Sequence, residues 1–204
     1  MTQKKIHIDE KKLQHQYGYR FIKRLFDVVA SSVAVVILSP VFLIIAIAIK
    51  VNDPAGPVFY TQTRVGKDGK PFKMFKFRSM VTNADELLEK LRDQNEVEGA
   101  MFKMKEDPRI TKVGKFIRKY SLDELPQLLN VVGGSMSIVG PRPPLPYEVK
   151  EYTDYDRQRL MVKPGATGMW QVGGRNALSF DQMVELDLTY INERSVWLDL
   201  QIMF

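Results

Sequence analysis

The stretch Val28–Ile49, VVASSVAVVILSPVFLIIAIAI, decides how the chain is organised, because it contains twenty-two residues without a charge. A straight helix of that length rises roughly 33 Å, which is enough to cross a bilayer. Ser39-Pro40 lies near its middle, however, and proline both removes an amide donor and disfavours helical geometry in the residue before it. The two halves rise only roughly 16 and 13 Å, so neither half spans a bilayer alone.

Basic residues flank this apolar segment on both sides. Residues 1–27 carry seven Lys and Arg against three Asp and Glu, and residues 50–80 carry seven against two. Positively charged flanks tend to stay cytoplasmic, so a re-entrant helix that enters and leaves by one face, with its break at Ser39-Pro40, satisfies both. A proline-kinked spanning helix, a buried core helix and a signal segment remain open as alternatives. The two membrane interpretations lead.

The segment just before the apolar stretch has a two-sided pattern. In residues 21–26, FIKRLF, two apolar pairs recur at helical spacing with Lys23 and Arg24 opposite them. This pattern predicts an amphipathic helix that lies in the headgroup layer.

Composition limits the chemistry that the chain can perform. The 204 residues are 45% apolar and 26% charged, which suits one folded domain. There is no cysteine, and the two histidines, His7 and His15, lie in the polar N-terminal tail. Disulfide scaffolds, thiolate nucleophiles and Ser-His-Asp chemistry are therefore improbable, and any metal needs oxygen ligands, which favours Mg²⁺.

Beyond residue 50 the pattern becomes that of a mixed α/β, loop-rich domain with short strands and amphipathic helices. Pro57–Thr63 and Phe72–Phe77 read as two strands around the turn at 66–69, and Ala84–Leu91 reads as a helix. Glycine and proline then recur so densely that only Ser179–Ile191 has room for a long element, and irregular loops are expected to dominate. Neither GxGxxG nor a Walker A sequence occurs.

The run SLDELPQ at 121–127 is the most informative motif. Ser121 followed by Glu124 is a capping-box signature, which predicts a helix start, and a well-capped helix is by itself a sufficient explanation. Basic residues such as Arg118 lie just upstream, in a position to hold anionic phosphate. We expect this setting to keep Asp123 ionised and available as a nucleophile or Mg²⁺ ligand.

Three further charged residues stand out by their context. Asp187 falls on the apolar face of the predicted helix Ser179–Ile191, so it needs a partner, either a basic residue in a structural ion pair or a metal. Arg142 lies between two prolines, and Arg175 follows Gly173-Gly174. Arginines on such restrained backbone can clamp phosphate, although surface turns often carry arginine without a catalytic role.

These motifs occur in a recognisable order: Arg24-Leu25-Phe26-Asp27, the stretch broken at Ser39-Pro40, Lys76–Met80, Asp107–Thr111, SLDELPQ, Gly140–Pro143, Lys163–Gly168, Gln171–Asn176 and Glu185–Asp187. The combination resembles the bacterial sugar transferases, the monotopic phosphoglycosyl transferases that start exopolysaccharide, O-antigen and glycoprotein glycan assembly. The resemblance runs from about residue 20 to the C-terminus.

The resemblance implies an activity, a location and a division of the chain. A sugar 1-phosphate is moved from a UDP-sugar to polyprenyl (undecaprenyl) phosphate with release of UMP, in the presence of Mg²⁺, at the cytoplasmic face of the bacterial inner membrane. Residues 1–20 are then a polar tail, residues 21–50 the interfacial and re-entrant membrane helix in contact with lipids, and residues 51–204 the cytoplasmic catalytic domain.

Roles carry over position by position. Asp123 resembles the nucleophile that attacks the β-phosphate, and Glu124 its partner, with both as metal ligands. Positions associated with the phosphates or substrate match Lys76, Arg118, Arg142, Arg175, Asp187 and Asp199. This chain departs from the family at Ser135, where relatives often have aspartate, and the insertion between Met80 and Lys112 resembles the exopolysaccharide and O-antigen members.

A rival from another class is a non-catalytic, membrane-anchored basic module that grips anionic lipid or nucleic acid. That interpretation explains the charge but not SLDELPQ, so nucleic acid is not expected as a partner. The sequence does not identify the sugar, and it leaves the oligomeric state open, a homodimer included.

Overall fold

The structure is a computed structural model that describes residues 6–84, 86–87, 107–173 and 178–204. Over these residues it is a mixed fold of helices and short strands, as the sequence predicts. The helices are α1 (Glu10–His15), α2 (Tyr17–Ile37), α3 (Ser39–Asn52), α4 (Lys112–Lys119), α5 (Gln127–Val132), α6 (Pro146–Lys150), α7 (Asp154–Arg157), α8 (Met169–Val172), α9 (Phe180–Glu193) and α10 (Val196–Met203). The strands are β1 (Phe59–Val65), β2 (Pro71–Phe77), β3 (Ser137–Val139) and β4 (Gly165–Thr167).

The apolar segment breaks where the sequence predicts. Helix α2 ends at Ile37, α3 begins at Ser39 with Pro40 in its first turn, and the two helices are bent by 59° at this break. Proline is tolerated there because the amide of a first-turn residue has no intrahelical partner. Among the described residues no single helix is long and apolar enough to cross a membrane, whereas the bent pair meets that test of length and composition together.

The predicted hairpin is confirmed, with the first strand shifted by two residues towards the turn and the second strand one residue longer. Strands β1 and β2 form a two-stranded sheet, and the Gly66 amide donates to the Lys70 carbonyl oxygen at 2.8 Å across the turn. Asp68 and Gly69 have φ of 57° and 75°, the left-handed conformation that such a tight reversal needs. The predicted helix at 84–91 falls mostly outside the described residues.

The predicted dominance of irregular loops in the second half is wrong. Short helices and single helical turns fill most of the space between the glycine and proline pairs, and only α9 is long. Several of these helices begin at caps that the sequence does contain, such as Thr153 before α7, Ser179 before α9 and Ser195 before α10. Side-chain caps stabilise the first turn of a helix, so short helices can form between closely spaced glycine and proline residues.

The described chain forms two compact units, each with its own core. The first unit is Met1–Ile37, Gln62–Met74 and Gln127–Phe204, and the second is Leu38–Thr61 and Phe75–Pro126. In the first unit, α9 packs Val184, Leu188 and Ile191 against Val139 of β3, which pairs in parallel with β4. In the second unit, Ile45 and Ile49 of α3 pack with Phe77 and Ile117. The three segments predicted from the sequence concern membrane and catalytic roles, and they stay a prediction.

Helix α2 has its polar side against the protein and its apolar side exposed. Tyr19, Lys23, Asp27 and Ser31 recur every four residues, and Asp27 and Ser31 are buried. The apolar residues of the opposite side are exposed, namely Phe21, Ile22, Leu25, Phe26, Val29, Val33, Val36 and Ile37. The two faces are separated as predicted, and Lys23 and Arg24 bind protein groups on the polar side.

Candidate active site

The predicted capping box at Ser121 is wrong, although the motif is structured. Ser121 has φ of 55°, its side chain makes no capping hydrogen bond, and a single 3-10 turn at Leu122–Glu124 follows it. A capping residue needs extended backbone, which the left-handed conformation of Ser121 excludes. Regular helix begins later, at Gln127. A non-glycine residue in this conformation is strained, and such strain concentrates at functional sites.

Hydrophobic anchors fix the 3-10 turn in the second unit. Leu122 and Leu125 pack on the core formed by Ile45, Ile49, Phe77 and Ile117. Helix α4 lies close to the chain at Ser79, where a Cβ on Gly114 would lie 1.9 Å from the Ser79 carbonyl oxygen. Any larger residue at this position would push α4 away. The two leucines bury one side of the turn, while Asp123 and Glu124 stay partly accessible.

Four predicted residues of the second unit form one group, which we call the carboxylate site: Lys76, Arg118, Asp123 and Glu124. Lys76 Nζ donates to Glu124 Oε1 at 2.8 Å. The charges of Lys76, Glu124 and Arg118 all act on Asp123. The carboxylate of Asp123 accepts no hydrogen bond from another side chain among the described residues, so it is open to an incoming group.

The pKa of Asp123 is shifted upward, whereas the sequence led us to expect that its basic neighbours would keep it ionised. Burial raises the pKa of Asp123 above its usual value, Lys76 and Arg118 act in the opposite direction, and the nearby Glu124 raises it further. Burial and the negative charge of Glu124 together disfavour the charged form more strongly than the two cations favour it.

One buried and one partly buried ion pair support the second unit. Arg109 forms a forked pair with Asp107, with Nη2 2.7 Å from Oδ2, and it lowers the pKa of Asp107. Arg78 donates to the carboxylate and to the carbonyl oxygen of Asp53. Both arginines belong to motifs that carried the resemblance, and here they act on the protein's own backbone and carboxylates.

Asp187 has the partner that its position on an apolar face demanded. Arg159 binds its Oδ2 through Nε at 2.8 Å and Nη2 at 2.6 Å, and Arg159 also donates to the hydroxyl of Tyr152. Burial raises the pKa of Asp187 to about 6, while Arg159 and more weakly Arg142 lower it. Arg142 is half-buried in the same unit, and its guanidinium forms no hydrogen bond or ion pair within the described part of the chain.

Asp199 lies in a different cluster of the first unit. It accepts hydrogen bonds from Tyr19 and Lys23 of α2 and from Tyr190 of α9. The Asp199 carboxylate therefore ties α10 to α2. Arg175, by contrast, lies outside the described residues.

Sequence reasoning missed the roles of three charged residues that organise the first unit. Arg159 had no signal, because its ion pair spans 28 residues and no periodicity connects the two. Asp27 accepts from the Ser137 hydroxyl and the Ile138 amide, and Arg24 donates to the carbonyl oxygens of Val131 and Val132. The motif Arg24-Leu25-Phe26-Asp27 contained a signal for these contacts, since its two charged residues share a helix face.

A strained turn that presents an accessible carboxylate between cations defines a class of site suited to phosphate chemistry. Residues 18–204 match the model of the bacterial sugar transferase family, and the chain belongs to that family.

Curated relatives agree with this assignment. The chain is 43% identical over 189 residues to the galactosyl transferase CpsE of Streptococcus agalactiae, and the match covers 92% of this chain and 42% of CpsE. It is 48% identical over 189 residues to the undecaprenyl-phosphate galactose phosphotransferase of Salmonella typhimurium, covering 91% of this chain and 39% of that protein. It is 45% identical over 186 residues to the exopolysaccharide production protein ExoY of Rhizobium meliloti, covering 89% and 82%. The chain thus spans about two fifths of the first two relatives.

Proposed function

We propose that this protein transfers a sugar 1-phosphate from a UDP-sugar to polyprenyl phosphate at a membrane, with release of UMP, through a covalent intermediate on Asp123. The observation that carries the proposal is the carboxylate site, where Asp123 is partly accessible and makes no side-chain hydrogen bond or ion pair with any described residue, beside the Lys76–Glu124 ion pair and Arg118. The printed names of the relatives, a lipid-linked galactose phosphotransferase among them, support the substrate classes.

Two displacements at phosphorus account for the reaction. A carboxylate oxygen of Asp123 bonds to the β-phosphorus of the donor, and the bond from that phosphorus to the bridging oxygen breaks, so UMP leaves with the oxygen and its electron pair. An oxygen of polyprenyl phosphate then bonds to the same phosphorus, and the aspartyl oxygen–phosphorus bond breaks. Asp123 is regenerated, and the product is a polyprenyl diphosphate sugar.

Basic side chains neutralise and align the phosphate groups in this reaction. Phosphoryl transfer between polyanions depends on neutralisation and alignment more than on a proton-accepting histidine. Lys76 and Arg118 neutralise the donor phosphates near Asp123, and Lys76 also holds Glu124 in place. The carboxylate site contains no imidazole, and both histidines of the chain, His7 and His15, precede α2.

The donor atoms of the site fit Mg²⁺. No group of three or more Asp, Glu, His or Cys side chains is placed to hold a metal in the part of the chain that the structure describes. Mg²⁺ is commonly held by one or two carboxylates together with substrate phosphates and water, so Glu124 with Asp123 suffices. A bound Mg²⁺ would stabilise charge that develops on the phosphate oxygens.

The broken helix pair supports a re-entrant attachment to the membrane. The exposed face of α2 and the exposed residues Leu43, Ile44, Ile47 and Val51 of α3 are apolar. Large exposed apolar patches are rare on soluble monomers, so lipid is the natural cover for each of these two helix faces. The break at Ser39-Pro40 together with basic flanks favours entry and exit at the cytoplasmic face.

The decisive experiment is to look for the covalent intermediate. The purified protein is incubated with a UDP-sugar in the absence of lipid acceptor. UMP should appear in an amount equal to the enzyme, and the intact-protein mass should rise by one sugar phosphate. Asp123→Asn should lose both signals, whereas the exposed Asp154→Asn should keep them as the matched control.

Each other outcome selects a different mechanism or class. An adduct that persists in Asp123→Asn would place the nucleophile elsewhere. Wild-type protein that forms UMP only after polyprenyl phosphate is added would establish direct transfer, with Asp123 as an orienting or metal-binding group. Absence of UMP with both substrates across a panel of UDP-sugars would favour the non-catalytic basic module.

A further inference from the structure

A basic cavity of about 600 Å³ lies in the first unit, beside the N-terminal turns of α2. Six cationic side chains line it, namely Arg20, Lys23, Arg24, Lys67, Lys163 and Arg194, against the three acidic residues Glu10, Asp27 and Asp68. None of the four residues of the carboxylate site lines this cavity. The proposed transfer reaction therefore leaves it without a role.

Three of the six cations are occupied by the protein itself. Lys23 forms an ion pair with Asp199 at 2.9 Å, and Arg24 donates to two backbone carbonyl oxygens. Arg194 donates to the side-chain oxygen of Gln16 at 2.9 Å. These contacts hold the walls of the cavity in place.

The other three cations are available to a ligand. Within the described ranges, the side chains of Arg20 and Lys163 make no hydrogen bond or ion pair, and Lys67 makes only an exposed pair with Asp68 at 3.5 Å. Partial burial and the positive charge of Arg24 lower the pKa of Lys163, while Asp27 acts in the opposite direction. Repulsion among the cations is therefore incompletely compensated, and a bound anion would relieve it.

The cavity borders the surface that faces lipid under the proposed attachment. Tyr17 and Phe21 line it, and their side chains are 67% and 71% exposed. Phe21 also begins the exposed apolar face of α2. A ligand in this cavity can place a charged group against Arg20 and Lys163 while its apolar part continues along α2. Free phosphate could use only the first of these features.

We propose that this cavity binds the phosphodiester headgroup of an anionic membrane phospholipid, with Arg20 and Lys163 as its principal cationic contacts. The bound lipid is a structural partner, additional to donor and acceptor. The proposal rests on the proposed membrane attachment but not on the transfer reaction.

The test measures binding of a fluorescent short-chain phosphatidylglycerol to the detergent-purified full chain. The double variant R20Q/K163Q should bind about thirty-fold more weakly, because each cation beside an anionic lipid contributes roughly a factor of five. The matched control is K150Q/R157Q, which removes one lysine and one arginine from exposed positions outside the cavity. That control should change the affinity by less than about two-fold. Phosphatidylcholine of the same chain length should compete poorly, because its headgroup has no net charge.

Several results would overturn the proposal. Equal losses in the two double variants would show general electrostatic attraction, and an unchanged affinity in R20Q/K163Q would exclude the cavity. Displacement of the lipid by glycerol 3-phosphate at equal concentration would make it a site for free phosphate. Displacement by an equal concentration of polyprenyl phosphate would make it the acceptor site.

Folding and catalysis are followed separately in the same variants. If R20Q/K163Q fails to fold, K163Q alone is compared with K150Q, and a loss of about five-fold is expected. UMP formation from soluble donor without lipid acceptor should be unchanged in R20Q/K163Q. If the wild-type protein forms no UMP, the proposed function is contradicted, but the measurement of lipid binding remains valid.

Discussion

Replacing Arg159 with methionine removes one partner of the buried ion pair in the first unit. Asp187 is 1% exposed and Arg159 is 6% exposed, so Asp187 would be left as an unpaired charge inside the protein. Loss of one partner from such a pair costs about 3–5 kcal/mol. For a chain of this size that corresponds to a fall of roughly 6–20 °C in the unfolding temperature. The hydrogen bond from Arg159 to Tyr152 is lost as well.

The loss should depend on pH in a defined direction. The pKa of Asp187 is about 6 in the folded protein against a usual 3.8, so the folded state favours the protonated form. The contribution of this group to stability is therefore full below pH 3.8 and is lost as pH rises through about 6. Removing Arg159 raises the pKa of Asp187 further, since Arg159 lowers it. The destabilisation of Arg159→Met should shrink as pH falls from neutral towards about 5.

Thermal unfolding of the detergent-purified protein measures both effects, with Arg157→Met as the control at an exposed arginine two residues away. A loss below about 1 kcal/mol that does not vary with pH would refute the reasoning. Asp187→Asn separates structure from catalysis. If it unfolds near the wild-type temperature but forms no UMP, Asp187 acts on substrate rather than as a structural partner of Arg159.

Further predictions concern topology, metal and protonation. Cysteines introduced near residues 5 and 70 should both resist an impermeant thiol reagent in intact cells. Labelling of the cysteine near residue 5 alone would show a spanning helix. Pro40→Leu should shift the chain towards that spanning form, because it restores the missing amide. UMP formation should stop in EDTA, and full turnover in chelator would contradict the metal requirement. Glu124→Gln should need more Mg²⁺ and react more slowly, because an amide binds a hard cation weakly. The rate of UMP formation should fall on acidification with a midpoint above 3.8, and Lys76→Met should move that midpoint upward, since Lys76 lowers the pKa of Asp123. A midpoint that moves downward would show that Lys76 does not act on Asp123.

Local patterns predicted those parts of the fold that depend on neighbouring residues. Ser39-Pro40 located the helix break, the turn at 66–69 located the hairpin, and the spacing of apolar residues located α9, because backbone restriction and periodicity are local properties. The same reasoning failed at Ser121, where the capping pattern is present but the chain reverses through a left-handed residue. A four-residue motif does not reveal that tertiary packing of Leu122 and Leu125 imposes the turn.

Charged partners were predictable only in kind. The apolar face around Asp187 required a basic partner or a metal, and the partner is Arg159, which no local pattern indicated. For Lys23 and Arg24 the sequence predicted only a place on the polar side of an amphipathic helix. Their actual partners, Asp199 and the carbonyl oxygens of Val131 and Val132, lie more than a hundred residues away in sequence. Such contacts arise from topology, which single motifs do not record.

The polar face of α2 also sets an order of events during synthesis. Asp27 binds Ser137, which is 110 residues further along the chain. At typical elongation rates of 5–20 residues per second, the ribosome needs roughly 5–20 s to make that partner. During this interval the apolar face of the nascent helix is already exposed, while the side chains of Asp27 and Arg24 can bind only water or headgroups. Under the proposed membrane attachment, lipid would therefore contact α2 before α2 packs against β3, and the residues made later would fold against a helix already bound at the membrane.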